Sequence, residues 1–265
     1  MHSRLRITLS IVALVLLLAG PALTAAQEAS PLTPGIPEEP LYTITLPPDA
    51  LPSWDPVVIS LTHFTISAGT ESTWEASAGA CCPGPKLKFI VAGTLRVVSE
   101  GPIQVVRAGS PDTIETVPAG TDVVLAVGDT VITRNEHGDI WVNPGPEPVE
   151  LLSTPVLSGM VPGPPVPANW TLGSYDVQEG LALQTRAYTL RLEQLTMTTG
   201  DVLQPPPNGF LFVQILDVDV PIYAGRASGG IITLIGAPDT TVAMYVLTVE
   251  PAVAGAGTPI AGMGT

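Results

Sequence analysis

From Tyr42 to Glu250 the apolar residues come in short runs of Val, Ile, Leu and Phe. Gly, Pro and Asp break these runs at close intervals, and no segment holds a helical period. Val57 to Ser67 (VVISLTHFTIS) reads as a strand, and Leu87 to Val98 (LKFIVAGTLRVV) as two strands around Gly93. Ile103–Arg107, Asp122–Ala126, Thr130–Thr133, Ile140–Val142 and Val149–Leu157 follow. Many short strands with turn residues between them predict an all-β sandwich or barrel. After a Pro-rich stretch the pattern resumes at Arg186–Thr198, Phe210–Tyr223, Gly230–Ile235 and Thr241–Glu250.

The second set of strands echoes the first. LTHFTISAGTE at 61–71 parallels LEQLTMTTGDV at 192–202, FIVAG at 89–93 parallels FVQIL at 212–216, and WVNPG from 141 parallels LIGAP from 234. Phe89 to Trp141 spans 52 positions and Phe212 to Leu234 only 22. If this is a duplication, the second copy has lost strands. The expected organisation is a signal peptide (1–26), a flexible Pro-rich lead (27–55), a barrel (56–157), a Pro-rich linker (158–170), a second, shorter β-rich half (171–251) and a disordered tail (252–265).

The amino terminus changes the compartment. Arg4 and Arg6 precede IVALVLLLA at 11–19, Gly20-Pro21 ends that run, and Thr24-Ala25-Ala26 supplies small residues for cleavage. The run is short against the ~20 residues of a membrane span, and the combination reads as a secretory signal cut after Ala26. An uncleaved anchor is the alternative. Cleavage removes Arg4 and Arg6, so the net charge moves from −14 to −16. Such an acidic chain is the wrong sign for nucleic acid. The positive mean hydropathy of +0.39 owes much to the signal and to short strands rather than to further spans. No membrane contact is expected beyond the signal segment, and the oligomeric state stays open.

Two spacings bear on identity. Counting back from Gly93, Lys86 stands seven positions before it, Cys82 four before that, and Ala80 two earlier. In the second, Gly128 and Asn143 bracket Arg134, Glu136 and Asp139. Over residues 57–157 this frame resembles the cupins, small double-sheet jelly rolls (double-stranded β-helices), with the second half a candidate degenerate cupin. Cupins place two histidines and a glutamate at the positions of Ala80, Cys82 and Lys86. In their second motif a proline, a glycine and a histidine fall at Arg134, Glu136 and Asp139. The frame matches while every position that would hold a metal is changed.

The resemblance therefore implies a barrel but no cofactor. A transition metal needs three or four converging imidazole, thiolate or carboxylate ligands. Cys82 and Asp139 offer two, and Lys86 sets a positive charge beside them. His63 reads as a strand-face residue and His137 as a turn residue. If Lys86 and Asp139 point inward as their counterparts do, they form an internal ion pair in place of the cation. Alternatively Lys86 and Lys88 edge a strand and face water. The vicinal Cys81-Cys82 pair is a candidate disulfide, strained by the short Cα separation of neighbours. An interchain link or two free thiols are the other readings. Asn169-Trp170-Thr171 is an acceptor sequon. Trp54, Trp74, Trp141 and Trp170 either line a ligand face or fill the core. No G-x-S-x-G or H-E-x-x-H occurs.

The expected function is an exported, metal-free and non-catalytic cupin-like protein that binds a small molecule or serves as a structural module. Two alternatives stand beside it. One is a metal-dependent isomerase or dioxygenase using Cys82, Glu136, His137 and Asp139. The other is a redox or envelope interaction protein centred on Cys81-Cys82.

Overall fold

The computed structural model describes residues 40–52, 56–76, 84–158, 166–181, 183, 186–215, 223–226, 230–253 and 257–260. The signal segment, the lead up to residue 39, Trp54, Ala80, Cys81, Cys82 and residues 159–165 of the Pro-rich stretch lie outside them.

A short strand, β1 (Tyr42–Leu46), precedes ten more: β2 (Val57–Ile66), β3 (Glu71–Trp74), β4 (Pro85–Ala92), β5 (Leu95–Ser99), β6 (Ile103–Arg107), β7 (Ser110–Val117), β8 (Val123–Leu125), β9 (Thr130–Arg134), β10 (Asp139–Val142) and β11 (Val149–Ser158). One sheet runs β2-β11-β4-β9 and faces a second that runs β3-β10-β5-β8. Successive strands thus alternate between two sheets and pair antiparallel with the strands that return, which is the jelly roll. The β6–β7 hairpin adds to the edge at β9. Apolar residues at every second position of these strands fill the space between the sheets: Phe64 and Ile66 of β2, Ile90 of β4, Leu95 and Val97 of β5, Val131 of β9, Trp141 of β10 and Leu151 of β11.

The remaining strands are β12 (Trp170–Leu181), β13 (Tyr188–Thr198), β14 (Val202–Leu203), β15 (Phe210–Ile215), β16 (Tyr223–Arg226), β17 (Ile232–Ile235), β18 (Thr241–Pro251) and β19 (Thr258–Pro259). Among the described residues their pairing repeats that of β2–β5, β10 and β11. β13-β18-β15 matches β2-β11-β4, and β14-β17-β16 matches β3-β10-β5. No counterpart of β6, β7, β8 or β9 appears among the described residues, and the shorter spacing between the echoed segments falls at that point.

The two halves exchange strands. β12 pairs with β2 of the first jelly roll, while β1 pairs with β13 of the second. Alternation then builds a middle layer of core. The back faces of β2, β4, β9 and β11 (Val57, Ile59, Leu61, Leu87, Phe89, Ile132, Leu152) meet Tyr42, Ile44, Leu190, Leu192, Phe212 and Leu247. A third core, around Leu203, Leu211, Leu234 and Met244, fills the second pair of sheets. Two expected boundaries change accordingly. Residues 42–46 belong to the sheet rather than to a flexible lead, because Tyr42, Ile44 and Leu46 are buried there. The tail is not wholly without structure. β19 runs parallel to β1, and Ile260 just after it is buried. Completing an exposed strand edge takes backbone groups, so small-residue sequence suffices.

The frame residues of the two spacings are structural. Gly93 and Gly128 have φ of +85° and +87°. A Cβ on Gly93 would stand 2.8 Å from Val149 Cγ2, and one on Gly128 2.7 Å from the Ala108 Cβ. Both positions demand glycine on conformation and on space. Asn143 donates from Nδ2 to the carbonyls of Ile66 (3.3 Å), Ser67 (3.1 Å) and Glu147 (2.9 Å), and its Oδ1 accepts from the Gly145 amide at 3.0 Å. It ties the end of β2 to the turn before β11. Asn143→Ala is expected to cost about 2–3 kcal/mol, since it orphans several buried groups at once; the shift in urea midpoint measures it.

Candidate functional site in the first jelly roll

Alternation on β4 sends Leu87 and Phe89 to the middle core and Lys86, Lys88 and Ile90 into the first jelly roll. Both lysines are buried there, 4% and 3% exposed. Neither edges the strand into water. Opposite them, Asp139 begins β10 with its carboxylate fully buried, and Lys86 Nζ lies 3.6 Å from its Oδ2. That separation is just beyond a good hydrogen bond, so the attraction is mainly between charges. Burial holds the Lys86 ammonium below its usual range, while the charges of Asp139 and Glu136 pull it back up.

Among the described residues Lys88 has no carboxylate of its own. Its Nζ is 3.4 Å from Thr133 Oγ1 and 4.4 Å from the centroid of the Trp141 ring. A tryptophan face attracts a cation in this position. Burial first, and the neighbouring Lys86 charge second, lower its pKa to about 7, against a partial upward pull from Asp139. Lys86 stands over Trp74 at 5.5 Å in the same manner.

The lysines line a cavity of about 300 Å³. Its polar wall is Ser60, Thr62, Asn135 and Ser153, and its aromatic wall is Phe64, Trp74 and Trp170. Trp170 makes edge contacts with Trp74 at 5.4 Å and with Trp141 at 6.0 Å, and donates from Nε1 to Ser72 Oγ at 2.8 Å. Asn169 holds this corner: its Nδ2 donates to the Glu71 carbonyl at 3.0 Å and its Oδ1 accepts from Ser72 Oγ. The sequon asparagine is thus engaged in structure. Where β12 runs past β3, Val166, Leu172 and Tyr175 form an exposed apolar rim to the cavity.

Lys86 and Asp139 come together in the barrel interior. Glu136 sits in the turn between β9 and β10, where Arg134 Nη2 donates to it at 2.7 Å. Burial alone would raise its pKa; the Arg134 hydrogen bond and charge, with backbone donors, outweigh that and hold it low. It lies at the rim of the pair rather than inside it. His63 points to the back face of β2, 3.6 Å from Glu150, and His137 covers Gly101 in the same turn as Glu136. Cys82 lies outside the described residues. Trp74 and Trp170 line the cavity, and Trp141 supports Lys88 beneath it.

A divalent cation, which the resemblance associates with this part of the barrel, does not fit these residues. Two lysine side chains point into the space and one carboxylate answers them. Among the described residues no three His, Cys, Asp or Glu side chains converge. Lys88 went unrecognised in the residue spacing because it falls on no motif position. A simpler signal was present. Of ten basic residues in the chain only two are lysines, and both are here. The other eight are arginines, which suit solvent-facing pairs such as Arg96 with Asp122.

No family model matches the chain, and no curated protein matches it. Among solved structures it is similar to the protein YhaK from Escherichia coli, at 11% identity and a TM-score of 0.37 over 73% of this chain and 84% of that one. It is also similar to a cupin 2 conserved barrel domain protein from Leptotrichia buccalis, at 13% identity and a TM-score of 0.26 over 82% of this chain and 92% of that one. The assignment to the jelly-roll fold rests on the strand order given above.

Proposed function

We propose that this chain is an exported, cupin-like binding module, metal-free and without turnover, whose first jelly roll holds a small organic anion. The observation that carries this reading is the convergence of both lysines on one cavity against a single carboxylate. Two ammonium groups and one carboxylate leave a net positive interior in a chain of net charge −14. A buried positive excess calls for an anion brought in from outside. Trp74, Trp170 and Phe64 then suit a flat apolar body, and the rim of Val166, Leu172 and Tyr175 admits it. The aromatic wall also favours a ligand over a purely structural role. The signal-like amino terminus supports a place outside the cytoplasm.

The test uses p-toluate, a flat carboxylate, with p-toluamide as its uncharged counterpart. Titration of the wild-type chain at pH 6, where Lys88 is mostly charged, should change tryptophan fluorescence with toluate and much less with the amide. Lys88→Met should weaken toluate about tenfold or more, the usual loss of a charged hydrogen bond. Equal binding of the two probes, or binding of neither, counts against an anion site.

A further inference from the structure

We propose that Lys88 is a carbonyl-reactive amine that condenses reversibly with an aldehyde or ketone ligand seated in the first-barrel cavity, joining it to the protein as an imine. This inference rests on the binding reading above and names the ligand's second functional group.

Three features of the geometry lead to it. First, Lys88 is the lysine of the cavity without an ion-pair partner among the described residues; its neighbours are a hydroxyl and an indole face. The indole face favours the ammonium, but burial outweighs that pull. Second, the charged groups that bear on it are Lys86 on its own strand and Asp139 on β10, while β9 and β11 present the uncharged Thr133 and Ser153. A lysine buried next to another cationic group is the arrangement that activates an amine as a nucleophile. With its pKa near 7, about half of Lys88 is unprotonated at neutral pH, against well under one in a hundred for an ordinary lysine. Third, Lys86 lines the same cavity, and Asp139 supports the charge that makes it a proton donor.

The step balances without an oxidant or reductant. The neutral Lys88 amine attacks the carbonyl carbon and the C=O π bond opens onto oxygen. Lys86 gives that oxygen a proton and recovers one from the attacking nitrogen, leaving a carbinolamine. Lys86 gives a second proton that carries the oxygen away as water, the nitrogen pair closes the C=N bond, and the nitrogen returns its last hydrogen to Lys86. The water holds the ligand's oxygen and the amine's two hydrogens. An anionic group elsewhere on the ligand answers the remaining positive charge, so the expected class is an aldehyde or keto acid with a flat apolar body.

The experiment incubates the full chain at pH 7 with 4-carboxybenzaldehyde and cyanoborohydride, which reduces imines selectively, and maps the adduct by peptide mass. The chain has two lysines, so assignment between Lys86, Lys88 and the terminal amine is direct. The expected result is one adduct per chain on Lys88, competed away by p-toluate and absent from Lys88→Met. Toluate binding without an adduct on Lys88 overturns the imine and leaves the anion site standing. Labelling shared evenly among the amines, or not competed by toluate, also overturns it. If toluate does not bind and no adduct forms, both readings fall together.

Discussion

Removing the Asp139 carboxylate, as in Asp139→Ala, should cost about 3–5 kcal/mol of folding stability at pH 7, the loss typical when one partner of a buried ion pair is deleted. Asp139 is 1% exposed and Lys86 4%, so water cannot take over either charge. The surviving Lys86 ammonium would face Trp74 with Lys88 beside it and no opposite charge in contact. Part of the loss is recoverable by base. With its partner gone the folded pKa of Lys86 falls further below the unfolded value of about 10.4. The unfolded chain then binds more protons across that window, and stability climbs as pH rises through it. The matched double variant Lys86→Met/Asp139→Leu should regain most of the loss, since apolar replacement of a whole buried pair is often neutral or stabilising. Urea denaturation of the two single variants and the double variant measures all three. Single variants no less stable than wild type would mean that the pair is not buried in the folded chain.

The second large effect belongs to Lys88. Its folded pKa of about 7 lies below the unfolded value, so between pH 7 and about 10 the unfolded chain holds the extra proton. Stability therefore rises with pH in this window, by up to about 1.4 kcal/mol per pH unit. Below pH 7 both states are protonated and the full cost of burying the ammonium is present. Lys88→Met keeps the length of the side chain and removes the charge. It should be more stable than wild type at pH 6 by several kcal/mol, and the advantage should shrink steadily towards pH 10. Taking the difference between the two proteins cancels groups common to both. A difference that does not vary with pH would place the Lys88 amine in water.

The two variants connect structure to function through opposite signs. Asp139 stabilises the fold by answering Lys86, while Lys88 costs stability that the proposed ligand offsets. A residue that weakens the fold and lines a cavity is a common mark of a binding site. Toluate should accordingly raise the melting temperature of wild type at pH 6 and leave that of Lys88→Met nearly unchanged.

Much of this architecture was legible in residue order. The apolar runs marked β2, β4–β6, β8–β11, β13, β15, β17 and β18 but not β1, β3, β7, β12, β14, β16 or β19, and the glycines at 93 and 128 with Asn143 marked turns that sterics and hydrogen bonds make specific. The reduced spacing between Phe212 and Leu234 marks where the second half, among the described residues, lacks counterparts of β6–β9. Partner choice was not legible. Alternation tells which residues of β1 and β12 share a face, but not that β1 pairs with β13 and β12 with β2, because either pairing satisfies the same pattern. The site was half visible. Lys86 and Asp139 emerged from motif counting, whereas Glu136, counted to the same place, was drawn aside by Arg134 in its own turn. Lys88 fell on no motif position; the chain's two lysines standing two residues apart hinted at it, and the facing of β4 places it in the cavity.

Because the chain contains two lysines, the central claim has a direct spectroscopic test. Full-length protein labelled with ¹³C at the lysine ε-carbon gives two side-chain signals, and a pH titration followed by NMR reads both amines at once. The account predicts one signal, assigned by Lys88→Met, that titrates near pH 7, and a second that titrates below the ordinary lysine value. Two signals that both titrate at about 10.4, as free lysine does, would put both ammonium groups in solvent and contradict the internal cation site.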